Sequence, residues 1–322
     1  MVRRQSLLCP IDFSNPSRAA LRYATAIAER FQMRLTLLTV NDPLLAEAAA
    51  LRAGPEWLPA DSERELRRFF EQTFEHRVLF PTPVDVLVTQ GQPAQEILRV
   101  AREQRSDLIV MSTHGLTGVR KLFFGATTER VLRETDVPVL VTPAVEPGPL
   151  FLEDVRHLVS RILAPVDLTG ASRHQVQVAG ALASAVEVPL VVAHVVEPLR
   201  FPSPPSVRRP NVDAERRARA DDALERLLAE LHVPVKAEAI TAFGDPAEEI
   251  AKIARERHVG LVVIGLHASP VSGPRMGSVT YRVLCLAHVP VLALPPAVAE
   301  ARALATIPLV TATTCPAVPG SV

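Results

Sequence analysis

Two features of the sequence carry residue types suited to holding an anion. The first is the run Ser112-Thr113-His114-Gly115-Leu116-Thr117-Gly118-Val119-Arg120-Lys121-Leu122-Phe123-Phe124-Gly125-Ala126-Thr127-Thr128, which follows an apolar segment ending at Met111 and leads into a helix expected to begin near Gly125. Glycine lets backbone N–H groups approach phosphate oxygens without a Cβ in the way. A helix start adds unsatisfied donors and a partial positive charge, and the hydroxyls of Thr127 and Thr128 can bond phosphate or cap the helix. Arg120 and Lys121 add charge at the rim. Ordinary turn-making is the competing reading of these glycines. The second feature is Asp12, after Pro10-Ile11 at the end of an apolar run. A carboxylate there can accept from a ribose hydroxyl while neighbouring main-chain groups read a base. Its competing reading is an Asx-turn or N-cap residue ahead of the helix at Ser17.

Stricter chemistry finds no support. There is no GxxxxGK[ST], so the lysine and hydroxyl of a P-loop are missing, and no GxGxxG follows the first apolar run. His114 and His267 have no serine, cysteine or positioned carboxylate in sequence context that would make them general acids or bases, so ligand contact or loop packing is expected of them. Cys9 is read as a structural thiol and His194 as a core histidine satisfied by a hydrogen bond. No His/Asp/Glu cluster suggests a protein-built metal cage, so any Mg²⁺ arrives with phosphates.

Both features need elements to bring them together, and the sequence supplies these twice. Leu7-Leu8-Cys9-Pro10-Ile11-Asp12 with Ser17-Arg18 recurs as Ile162-Leu163-Ala164-Pro165-Val166-Asp167 with Ser172-Arg173. Gly91-Gln92-Pro93-Ala94 recurs as Gly244-Asp245-Pro246-Ala247, and Val137-Pro138-Val139-Leu140 as Val289-Pro290-Val291-Leu292. The period is domain-sized, so two copies of one domain stand in tandem. Apolar runs without alternation, such as Leu108 to Met111 and Leu261 to Ile264, predict strands buried on both faces. Ala94, Ile97, Leu98 and Ala101 fall at i, i+3, i+4 and i+7, as one apolar stripe of a helix does. The expectation is an α/β fold: two tandem doubly wound, Rossmann-like domains, each with a five-stranded parallel sheet whose ligands bind at the carboxyl ends of strands. The expected boundaries are 1–145 and 158–296, with a linker from Pro143 and a tail, 297–322, left without assigned structure. Charged helices are expected over Asp61 to Arg77 and Asn211 to Leu231.

Composition narrows the partners. With 35 basic and 35 acidic side chains, no net field draws the chain onto nucleic acid or an anionic membrane. Cys9, Cys285 and Cys315 form no pattern of a disulfide framework or zinc site, and no apolar run is long enough to span a membrane. A soluble, cytoplasmic protein is expected.

The chain resembles the universal stress protein family over both copies. The family signature G-x2-G-x9-G-[ST] aligns from Ser112 through Gly115 to Gly125 and Ala126, with its spacing intact but serine in place of the first glycine and alanine in place of the last Ser/Thr. The surroundings agree: Pro10-Ile11-Asp12, Leu37-Leu38-Thr39-Val40, Glu129-Arg130-Val131-Leu132 and Val137-Pro138-Val139-Leu140-Val141. For ATP-binding members the resemblance implies that Asp12 bonds the ribose and that backbone at Ile11 and Val40, with the Met111 side chain, surrounds the adenine. Ser112, His114, Gly115, Gly125, Ala126, Thr127 and Thr128 would hold the phosphates. The second copy keeps Asp167, Val195, Gly265, Gly277 and Ser278, but has Ala268 for the middle glycine and a loop one residue shorter with Pro270 and Pro274. That leaves nucleoside or monophosphate binding open there. The resemblance thus implies a non-enzymatic stress or signalling module that binds ATP in the first copy. The alternative is a nucleotide-free structural or partner-binding protein, its partner unidentified. The two final strands, Val137 to Val141 and Val289 to Leu294, are expected to pair within one chain as an internal pseudo-dimer; a homodimer is the other assembly such edges allow.

Overall fold

The structure, a computed structural model, describes residues 4–54, 57–74, 83–113, 125–143, 159–199, 210–233, 235–266 and 276–296. Ser6–Pro10 forms β1 and buries its first four residues, as a strand covered on both faces must. Ser14 then accepts from the Ser17 N–H and caps α1, Asn15–Arg30, with Pro16 tolerated in its first turn. The first half continues through β2 (Arg34–Asn41), α2 (Pro43–Ala53), α3 (Trp57–Thr73), β3 (Val84–Gln90), α4 (Pro93–Glu103), β4 (Leu108–Ser112), α5 (Ala126–Glu134) and β5 (Val139–Thr142). The second half repeats the plan: β6 (Ile162–Pro165), α6 (Gly170–Ala185), β7 (Leu190–Val196), α7 (Pro210–Leu231), β8 (Ala237–Phe243), α8 (Pro246–Glu256), β9 (Leu261–Gly265), α9 (Ser278–Leu286) and β10 (Val291–Leu294).

Each half is a five-stranded parallel sheet, and the two are continuous. The strand order is β3-β2-β1-β4-β5-β10-β9-β6-β7-β8. All pairings are parallel except β5 with β10, where Val141, Leu140 and Val139 face Val291, Leu292 and Ala293 in antiparallel register. Both strands are buried along their whole length. Two apolar cores sandwich this sheet, and each draws on both halves: Leu7, Leu37, Leu140 and Leu292 contribute to one, Leu8, Val139, Val262 and Val291 to the other. A strand buried on both faces sends alternate side chains to opposite cores, which is why these segments read as unbroken apolar runs. Among the described residues no helix is long and apolar enough to cross a membrane.

Two helices differ from expectation. The charged helix expected from Asp61 begins at Trp57 and ends at Thr73, and α2 precedes it. The start of α2 is encoded by Asp42, whose Oδ1 accepts from the Leu44 and Leu45 N–H groups, and by Pro43 in the first turn. No apolar stripe announces it, because Leu44, Leu45 and Leu51 are all exposed. The helix expected over Asn211 to Leu231 is present as Pro210–Leu231. Most of the linker and the tail lie outside the described residues.

Candidate functional site

In each half the strand order reverses between two neighbours, β1 with β4 and β6 with β9, and the crevice at their carboxyl ends is where doubly wound sheets take ligands. Asp12 follows β1 at that end, and Ser112 closes β4 beside it. The Asp12 Oδ1 accepts from the Ser14 N–H at 3.1 Å and the Ser14 hydroxyl at 2.6 Å. Asp12 therefore makes an Asx-turn that presents Ser14 as the N-cap, with Phe13 between them at φ 63°. The second half repeats the device: Asp167 Oδ1 accepts from the Thr169 N–H and hydroxyl at 2.9 and 2.7 Å and from the Ser172 hydroxyl at 2.9 Å, with Leu168 at φ 61°. A loop that pays for a left-handed non-glycine residue in both copies fixes the carboxylate's position at the crevice.

The other side of the crevice is main chain. The Ile11 N–H donates to Leu38 O and the Val166 N–H to Ala193 O, both at 2.8 Å, carrying the ladder one residue past Pro10 and Pro165. The carbonyl of Ile11 accepts from the Thr39 hydroxyl, and that of Val166 is met by His194 Nδ1 at 2.9 Å. His194 thus makes the hydrogen bond expected of it, but from a half-buried position and not from within the core. The pairing of Thr39 with His194 was not foreseen, although a polar residue at the same repeat position in two apolar strands was its signal. Val40 and Val195 follow these residues, half-buried against the core. Met111 is 5% exposed and packs in the same core as Leu8 and Val141.

The ends of the glycine-rich segment are held together. Gly125 N–H donates to Thr113 O at 2.8 Å, Thr113 N–H to Thr142 O, and the Thr128 hydroxyl to Ser112 O at 3.0 Å. In the second half the Thr280 hydroxyl donates to Gly265 O and the Leu266 N–H to Leu294 O. Thr128 is buried, so its hydroxyl is turned inward to β4, while Ala126 is exposed and Thr127 half-buried at the start of α5. Gly125 and Gly277 are the N-cap residues of α5 and α9, and neither helix start has a side-chain cap. Gly277 has φ −71°, and among the described residues a Cβ there would meet nothing within 4 Å. His114 and Gly115 lie outside the described residues, as does His267.

One further residue separates the halves. Gln175, buried in α6, donates through Nε2 to Pro165 O at 2.5 Å and Val263 O at 2.9 Å, stitching β6 to β9 where those strands diverge. The first half has Ala20 at the matching place. Among the described residues no group of three or more His, Cys, Asp or Glu side chains could hold a metal ion. Burial pushes the Cys9 thiol far up from its usual range, which makes it a packing residue and not a nucleophile.

Comparison with known proteins follows the same division into halves. The model of the universal stress protein family matches residues 3–143 and again 159–295. Universal stress protein MJ0531 of Methanocaldococcus jannaschii is 29% identical over 143 residues, 42% of this chain and 81% of that protein. The universal stress protein in the QAH/OAS sulfhydrylase 3′ region of Thermus aquaticus is 31% identical over 138 residues, 42% of this chain and 97% of its own. Over nearly the whole length, the chain superposes on a universal stress protein from Archaeoglobus fulgidus with a TM-score of 0.57 at 17% identity, covering 91% of this chain and 97% of that one. At that identity the likeness speaks for the fold. With a family model matching both copies and a doubly wound sheet in each, the chain belongs to the universal stress protein family, as a tandem member.

Proposed function

We propose that the chain binds an adenine nucleotide, ATP, in its first half and acts as a non-enzymatic stress-response or signalling module in the cytoplasm. One observation carries this reading: the Asx-turn of Asp12 and the start of α5, which lacks a side-chain cap, stand at the carboxyl ends of adjacent strands at the switch point. Asp12 would hold the ribose, backbone at Ile11 and Val40 with Met111 the adenine, and Ser112, Gly125, Ala126 and Thr127 the phosphates together with His114 and Gly115. Thr128 contributes from beneath, by keeping Ser112 in place. ATP supplies negative charge that the amide donors of the helix start neutralise, with Mg²⁺ arriving on the phosphates. Functional domains of 1–145 and 158–296 follow, with 297–322 as a tail.

The second half takes at most a nucleoside or monophosphate, through Asp167, Val195, Gly265, Gly277 and Ser278, because its loop is shorter and carries prolines. A second reading, a nucleotide-free partner-binding protein, is favoured by Ala126 and by the inward hydroxyl of Thr128. Two measurements separate them. Protein purified without added nucleotide and then denatured should release ATP or ADP, and labelled ATP should bind with an affinity that Asp12→Ala weakens at least about tenfold, or about 1.4 kcal/mol. No released nucleotide and no binding of labelled ATP would leave the partner-binding reading.

A further inference from the structure

The two halves differ at the amino ends of their own strands, which in each half is the end opposite its own crevice. There, between the C-terminal ends of α8 and α9 and against the starts of β9 and β10, the second half opens a cleft of about 210 Å³. Its floor is apolar, formed by residues such as Ala251, Ala254, Val283 and Val289. Counting along the repeat, the first half has Leu98 where the second has Ala251, and Leu98 is buried between α4 and its neighbours. The smaller side chain removes three carbons from the position that α4 fills. An apolar cavity of about 150 Å³ holds benzene, so this cleft has room for one ring or a chain of similar bulk.

The rim has a definite charge. Arg255, His258 and His288 line it, and among the described residues no acidic side chain does. Among the described residues Arg255 makes no ion pair, unlike the neighbouring Arg257, which is bound by Glu238. The first half carries Arg102 and Arg105 at the places of Arg255 and His258, but Asp136 in place of His288 and Glu134 in place of Leu286. Among the described residues, then, the second half combines an apolar hollow with a basic rim where the first half has Leu98, Glu134 and Asp136 at the matching places. His258 follows the end of α8 with φ 50°, a conformation that asparagine or glycine would take more readily.

We propose that this cleft is a binding site for a small monocarboxylate with an apolar body of about one aromatic ring. The body lies on Ala251 and on the half-buried Leu286 and Val289. The carboxylate stays at the rim, where the guanidinium of Arg255 offers parallel N–H donors and the imidazoles add further donors. The site is independent of the nucleotide reading, since it shares no residue with the crevice.

The test is ¹⁹F NMR titration of the full-length chain with 4-fluorobenzoate, with 4-fluorobenzyl alcohol as the neutral probe of the same shape. Saturable shift or broadening of 4-fluorobenzoate is expected, with the alcohol at least about tenfold weaker for want of charge-assisted hydrogen bonds. Ala251→Leu, which installs the first half's own residue, should abolish binding, and Arg255→Ala should weaken it about tenfold without touching the core. If Ala251→Leu does not fold, Arg255→Ala and the alcohol decide. An unshifted 4-fluorobenzoate signal, binding that survives Ala251→Leu, or equal binding of acid and alcohol would each overturn the proposal.

Discussion

The hydroxyls of Thr128 and Thr280 show why residue type alone does not tell a ligand contact from a structural one. Both sit in the first turn after a glycine N-cap, where phosphate binding and helix capping are equally open to a threonine, and both donate instead to the last carbonyl of the preceding strand. Glycines divide in the same way. Gly91 has φ +149° and a Cβ would come within 3.0 Å of Glu96 Cγ, whereas Gly277 lies at φ −71° and among the described residues a Cβ there would meet nothing within 4 Å. Gly91→Ala should therefore destabilise by about 1–3 kcal/mol in urea denaturation, and Gly277→Ala by less than about 0.5 kcal/mol. Gly91 is a backbone requirement; Gly277 is a candidate for ligand approach. Cys9 gives a prediction with a sign. Its thiol is raised by desolvation on burial, while in the unfolded chain it ionises near the usual 9.0. Below that pH both states hold the proton and its contribution is fully present; as pH rises above 9.0 the unfolded state alone loses the proton and stability falls. Cys9→Ala should flatten that alkaline loss, and native Cys9 should resist a thiol reagent that labels it at once in denaturant. Asp12 was legible as a choice between two roles. The structure shows the Asx-turn directly, and a ribose contact would have to be made by a carboxylate already oriented by Ser14.

Elements were legible where burial imposed a period and obscure where it did not. The strands and the stripe of α4 follow from apolar spacing, and Ala94, Ile97, Leu98 and Ala101 are all buried as that stripe requires. α2 could not be found this way, because its leucines face solvent; only the Asp42-Pro43 start signal marks it. The Gln175 bridge between β6 and β9 and the side-chain contacts to the Ile11 and Val166 carbonyls were also hidden, since they depend on which strand lies beside which. Contacts between elements carry a further asymmetry. Asp245 caps α8 by accepting from the Glu248 N–H and also accepts from Arg282 of α9, whose guanidinium holds its carboxyl below the usual 3.8. The first half makes the corresponding link between neutral Gln92 and Arg130. A depressed carboxyl adds stability above 3.8 that disappears as pH falls through its folded value. Thermal melts should therefore show Asp245→Asn losing less stability on acidification than the parent, and Gln92→Asp should bring the same acid sensitivity to the link between α4 and α5. Equal acid sensitivity in parent and Asp245→Asn would show that the charge of Asp245 plays no part.

At the scale of the whole molecule, the join between the halves is the feature on which the shared cores depend. A parallel sheet ends in an edge whose N–H and C=O groups need partners, and β5 and β10 are too apolar to face water. The repeat made both edges visible in the sequence as Val137 to Val141 and Val289 to Leu294, and a linker long enough to let the second copy fold back favours their meeting within one chain by holding the second half at high effective concentration. Antiparallel pairing of two equivalent edges is what a local twofold perpendicular to the sheet produces, because rotation about that axis reverses the strand direction. Leu140 stands opposite Leu292 in this ladder and they are 6% and 2% exposed, each pointing into the core shared across the join. Opposed positions of an antiparallel pair bring Cβ atoms to about 4.5–5.5 Å, close enough for a disulfide after small adjustment. A variant with Leu140→Cys and Leu292→Cys should then crosslink on mild oxidation within a single chain, running as a compact monomer on a non-reducing gel at every dilution. Each single variant should not. If the double variant instead yields only crosslinked dimers, and their yield falls with dilution, the strands meet between chains, the assembly in solution is a homodimer, and the continuous sheet must be rebuilt from two molecules.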